Sequence, residues 1–84
     1  MTELIGKFQT VLREVFGDDT IVVHEGTTAN DVDGWDSLMH INLVIAVEKR
    51  FGVKFATAEI ALLKSEGQNI GTFCQLLSRK LAAR

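Results

Sequence analysis

Apolar residues recur at helical spacing in three stretches of the chain. Leu4, Ile5, Phe8, Val11, Leu12, Val15 and Phe16 step by three and four, which places them on one side of a helix. Thr2 is placed to cap its start, and Gly17 with Asp18 and Asp19 to end it. A second stripe, Leu43, Val47 and Phe51 widened by Val44, predicts a helix that opens at Ser37 and stops at Gly52. The third is Ile70, Phe73, Cys74, Leu77 and Leu81. Asn69 can cap it, and Arg79, Lys80 and Arg84 suit its negative end. Between the last two, residues 57–64 predict a short helix with Thr57 as cap and Ile60 and Leu63 pointing inward. The pattern gives an all-α fold. It is a small bundle of three long helices plus one short helix, in a single domain spanning residues 1–84.

The connection over residues 17–36, between helices one and two, is long for a compact domain, and such loops tend to carry function. Ile21, Val22, Val23 and Val32 predict that it packs on the core. The 21–23 run has strand character but no second run to pair with. The loop ends in acid, with Asp31, Asp33 and Asp36 around Gly34 and Trp35. Trp35 is expected to pack against the loop and orient Ser37.

Composition narrows the function classes. With 46% apolar and 24% charged residues, the chain reads as a packed globule rather than a disordered one. Nine basic and eleven acidic residues, without a basic cluster, exclude nucleic acid as the natural partner. One cysteine and two distant histidines offer neither a disulfide nor a metal site. Cys74 lies on an inward stripe and reads as a small core residue, while His24 reads as a loop residue. The longest uncharged stretch, residues 67–78, is too short to span a membrane. No basic segment precedes an apolar run at the N-terminus. A cytoplasmic location is the expectation.

Ser37 at a helix start admits two readings from its residues alone. It can cap the helix, as serine often does, or it can be a chemically used hydroxyl. His40 lies three residues on, so a dyad can be drawn. Nothing orients that histidine, and the Gly-x-Ser-x-Gly elbow of hydrolases is absent. His40 reads as a surface residue beside the serine, and the chain as no enzyme.

The longer string is Asp31-Val32-Asp33-Gly34-Trp35-Asp36-Ser37-Leu38, then Ile41, Leu43, Val44, Glu48, and Phe51-Gly52-Val53-Lys54-Phe55. It resembles the acyl carrier protein family over nearly the whole chain. The resemblance implies that Ser37 accepts phosphopantetheine from coenzyme A through a separate phosphopantetheinyl transferase. A phosphodiester there would sit at the positive end of a helix dipole. Asp36 is then assigned to transferase recognition, and Leu38 to anchoring the helix start against the core. The implied partners are that transferase and acyl-loading and acyl-processing enzymes, met by a monomer.

Family members usually carry a strongly acidic second helix, whereas this chain has Met39, Asn42, Lys49 and Arg50 there and keeps Glu48. Lys49 and Arg50 read as a solvated face. Electrostatic steering by this surface is expected to be weak. Met39, Ile41 and Ile45 near Ser37 then give an apolar docking surface, with Leu38, Asn42 and Glu48 as further recognition residues beside it. Ile41 and Ile45 can equally finish the core stripe. The family's acyl chamber between helices two and three would be lined by Leu43, Ile45, Val47, Phe55, Ile60, Leu63 and Phe73. Its phenylalanines leave little room, so short or polar cargo is expected. The pathway implied is fatty-acid, polyketide or other specialised acyl metabolism. An aminoacyl or peptidyl carrier would keep the same fold and serine, and an unmodified protein–protein adaptor is the reading from another class.

Overall fold

The computed structural model describes residues 2–63 and 68–83. Helices α1 (Thr2–Phe16), α2 (Ser37–Phe51), α3 (Thr57–Leu63) and α4 (Ile70–Ala83) follow in order. A 3-10 turn, Ala29–Asp31, interrupts the long connection between α1 and α2. The described residues contain no strand, so the all-α reading holds.

The helix ends follow from local chemistry. Gly17 and Gly52 take φ of 64° and 68°, a left-handed turn that residues with a Cβ rarely adopt. The Gly52 amide donates back to the Glu48 carbonyl at 2.9 Å. Asn69 caps α4 through its Oδ1, which accepts the Thr72 amide at 2.9 Å, while Thr72 Oγ1 accepts the Asn69 amide at 2.9 Å. Helix α3 starts differently from expectation. Glu59 Oε1 accepts the Ala56 amide at 2.7 Å, so Thr57 is the first helical residue and not the cap. The Thr2 side chain, Lys64 and Arg84 lie outside the described residues.

Helix α1 packs against both α2 and α4. Phe8, Leu12, Leu43, Val47, Cys74 and Leu77 are wholly enclosed between them. Burial of the larger of these side chains contributes about 1.5–3 kcal/mol each. Phe73 stands edge-on to Phe8 (centroids 4.8 Å apart) and to Phe55 (5.6 Å), so three aromatic rings fill the middle. Burial pushes the Cys74 thiol up to about 12, which keeps it protonated and inert at neutral pH.

Helix α3 contributes no fully buried residue, and only Ile60 and Leu63 lean on the core. Polar contacts hold it instead. Glu59 pairs with Lys80 of α4 at 2.8 Å, and Lys80 also lies 5.2 Å over the Phe55 ring. The hydrogen bond from Lys80, followed by that from Ala56, holds the Glu59 carboxyl below its ordinary range.

The long connection is fastened from both sides. Gln9 of α1 accepts the Val23 amide at 2.9 Å, and Arg13 donates to the Ile21 carbonyl at 2.8 Å. From α4, the Ile70 and Gly71 amides donate to the Thr27 and Glu25 carbonyls, each at 2.8 Å. Val23 and Val32 are buried as expected; Val22 points away and is 75% exposed. Three successive residues of an extended segment cannot all face the core, because side chains alternate.

Gly71 is where the loop meets α4. A Cβ at that position would lie 3.0 Å from the Glu25 carbonyl oxygen and 3.1 Å from Asn69 Oδ1. Gly71→Ala is therefore expected to destabilise the fold by about 1–3 kcal/mol. Gly6, inside α1, has nothing within 4 Å of such a Cβ, and Gly6→Ala should stabilise by about 0.5–1 kcal/mol. Urea unfolding of the two variants tests both signs, and equal effects would refute the close approach at Gly71.

Candidate functional site

The turn before α2 is built around Gly34, whose φ of 83° lets the chain reverse. The Trp35 amide donates to the Val32 carbonyl at 3.4 Å and the Asp36 amide to the Gly34 carbonyl at 3.0 Å. Asp36 is extended and caps α2, its Oδ1 accepting the Met39 amide at 2.9 Å. Its carbonyl accepts the His40 amide at 2.9 Å. Ser37 is the first helical residue and is exposed. Of the two sequence readings, the capping one is thereby removed: the aspartate performs that task.

His40 is not a surface residue. It is 2% exposed and lies on the face of α2 that carries Leu43, Val44 and Val47. Trp35 Nε1, which can only donate, meets His40 Nδ1 at 3.2 Å. His40 Nε2 lies 2.9 Å from the Ile60 carbonyl, which can only accept. These two partners assign the ring proton to Nε2. Both nitrogens are engaged, so neither is placed to take the Ser37 proton, and a Ser37–His40 dyad is excluded. Trp35 completes the arrangement by packing edge-on to Phe16 of α1, with centroids 5.8 Å apart.

The expected docking residues separate into three kinds. Leu38 and Ile41 are 67% and 50% exposed, so Leu38 does not anchor the helix start against the core. That anchoring falls to Trp35 and His40. Met39 is half-buried with its sulfur 3.9 Å from the exposed Asn42 amide nitrogen. Glu48 is half-buried and turned back onto the chain: its Oε2 accepts the Phe55 amide at 2.8 Å. Glu48 thus closes the α2–α3 connection, and it also lines the groove beside Lys49 and Lys54.

Of the residues named for an acyl chamber, Leu43, Val47, Phe55 and Phe73 are brought together in the closed core, and Ile60 and Leu63 border it. Ile45 is not among them. It is 44% exposed on the opposite face of α2 and edges a separate groove with Lys49 and Lys54. A groove of about 450 Å³ between α3 and α4 is bordered by Leu62, Leu63, Thr72, Leu76 and Arg79. Leu62 is 56% exposed at its rim. His40 falls at i, i+3, i+4 and i+7 with Leu43, Val44 and Val47, so the wheel itself marked it as inward. Among the described residues no group of three or more His, Cys, Asp or Glu side chains could hold a metal ion. No described helix is long and apolar enough to cross a membrane.

No family model matches the chain, and no curated protein matches it. Among solved structures, it is similar to the solution NMR structure of a holo acyl carrier protein from Geobacter metallireducens. The two are 39% identical, with a TM-score of 0.83 over 95% of this chain and 87% of that one.

The double engagement of His40 is open to test. His40→Leu keeps the bulk but removes both hydrogen bonds, and is expected to cost about 1–3 kcal/mol. The amides of α3 should then exchange faster, and Trp35, the sole tryptophan, should report a wetter surrounding in its fluorescence. Unchanged stability and emission would mean that the imidazole does not tie these elements together.

Proposed function

The chain belongs to the acyl carrier protein family, and we propose that Ser37 is the residue to which phosphopantetheine is attached. The observation that carries this reading is the placement of an exposed serine at the first position of a long helix whose cap is made by its neighbour Asp36. The surroundings suit the group. Ser37 opens a 15-residue helix, and the positive end of such a helix favours an attached phosphodiester by about 0.3–1 kcal/mol where exposed. His40 and Trp35 hold the turn before the serine, so the hydroxyl is presented at a fixed place. With both imidazole nitrogens engaged, the base for the attachment comes from the transferase. The Ser37 oxygen forms the new phosphoester bond, the pyrophosphate linkage of coenzyme A breaks, and the adenosine bisphosphate portion leaves. The attached group supplies a terminal thiol that holds an acyl group as a thioester.

On this reading the chain is a carrier and not an enzyme. It presents acyl groups to loading and processing enzymes of a fatty-acid, polyketide or other specialised acyl pathway, as a monomer in the cytoplasm. Leu38, Met39, Ile41 and Asn42 form the surface met by those enzymes. Leu43, Val47, Ile60, Leu63, Phe55 and Phe73 are the interior that cargo would enter. The packed rings of Phe8, Phe73 and Phe55 support short or polar cargo, since a long chain would have to displace them.

Incubation with coenzyme A, magnesium and a broad-specificity phosphopantetheinyl transferase, followed by mass spectrometry, tests the assignment. One added phosphopantetheine is expected, and none on Ser37→Ala. No addition by an active transferase would favour the unmodified adaptor. Asp36→Asn separates the two tasks of that residue. Asparagine caps about as well as aspartate, so stability should change by less than about 0.5 kcal/mol. The rate of modification is expected to fall at least about tenfold if the transferase reads the charge. Thiol titration gives an independent count. Because Cys74 is buried with its pKa raised to about 12, the native unmodified chain should react negligibly with a thiol reagent and the modified chain with one equivalent.

A further inference from the structure

The solvent face of α2 differs in chemistry from anything the attachment of a prosthetic group requires. Leu38, Ile41 and Ile45 are 67%, 50% and 44% exposed, and Asn42 and Lys49 are exposed beside them. At 3.6 residues per turn these five share one stripe that begins next to Ser37 and runs the length of the helix. Glu48, the acid of α2, has its Oε2 on the Phe55 amide. At the far end, Ile45, Glu48, Lys49 and Lys54 border a groove of about 370 Å³ floored by Gly52 and Val53, in which two ammoniums outnumber one carboxylate. The stripe is therefore apolar near the serine and cationic at its end.

We infer that this face docks a protein surface that offers an apolar seat to Leu38, Ile41 and Ile45 and a carboxylate to the Lys49–Lys54 groove. The inference rests on the carrier reading for who visits, namely enzymes that must approach Ser37, and adds the sign of the charge they bring. A carboxylate beside an exposed ammonium strengthens binding by up to about fivefold per pair, so two lysines discriminate an acidic from a neutral visitor by about tenfold. A second copy of the chain is the poorer occupant. The stripe is about 17 Å long and about 10 Å wide, well below the roughly 800 Å² per partner of a stable interface. Such a strip fits brief encounters.

The test uses the unmodified full chain, isotope-labelled for NMR, and two amphipathic helical peptides with the same leucine face. One carries two glutamates at one end of that face, and the other two glutamines at the same positions. The glutamate peptide is expected to shift the amides of Leu38, Ile41, Ile45, Lys49 and Lys54 and to bind about tenfold more tightly. That advantage should vanish at about 0.5 M salt, where the screening length is only a few ångström, and in the Lys49→Glu, Lys54→Glu double variant. Leu38→Ser with Ile45→Ser should weaken both peptides alike. Equal binding of the two peptides, shifts centred elsewhere, or self-association through the α2 amides would overturn the inference. Because the assay requires no modification of Ser37, it fails or succeeds independently of the mass gain that tests attachment.

Discussion

The buried imidazole of His40 is the constraint on which the arrangement around Ser37 depends. One ring joins three separate pieces of chain: the turn through Trp35, α2 through its own backbone, and α3 through the Ile60 carbonyl. A polar side chain 2% exposed is costly unless both its nitrogens are satisfied. The two partners meet that condition only with the turn and α3 in their present places. Position and orientation of the serine at the head of α2 are consequences. Trp35 extends the constraint to α1 through Phe16, so the residue before the cap is held from two directions.

Helix α3 depends on the same bond for a different reason. It buries no residue fully and is attached by the His40 contact, the Glu59–Lys80 pair and the two half-buried residues Ile60 and Leu63. The ion pair is about a quarter exposed, and exposed pairs contribute little. Elements with few buried contacts open at lower free energy than the core. The open groove between α3 and α4 lies on this weakly attached side. Entry of anything into the interior is therefore easiest there, where the displaced contacts are polar and half-solvated, rather than between α1 and its neighbours.

Most of the architecture was legible in the sequence because its signals are local. Gly17, Gly52 and Asn69 end or begin helices through their own backbone and side-chain chemistry, and apolar spacing identified the faces. Ser37, the serine proposed for attachment, was legible as a string, Asp36-Ser37-Leu38 followed by its downstream pattern. What escaped was the polar wiring. Gln9 and Arg13 reach loop carbonyls and amides eight to fourteen residues away in sequence, and an apolar wheel assigns no meaning to such residues. His40 escaped because histidine is counted as polar, although its position belongs to the inward stripe. Leu38 as an anchor and Ile45 as a chamber residue were misplaced by the converse habit, and Ile41 was left between surface and core. They are apolar, but their angular position is opposite Leu43 and Val47, and geometry outranked hydrophobicity.

Asp36 shows how the proposed attachment at Ser37 makes different demands from catalysis. Its carboxylate already occupies the positive end of α2 through the Met39 amide, so a phosphate placed on Ser37 shares that end with a like charge. A site evolved to hold a phosphate would use the amide for the phosphate. Here the helix start is stabilised before any group arrives, and the serine is left at the surface to be approached. Catalysis would require a base within reach of that hydroxyl, and the candidate base is committed to structure instead. The chain thus fixes where its serine stands and leaves the chemistry to proteins that visit it.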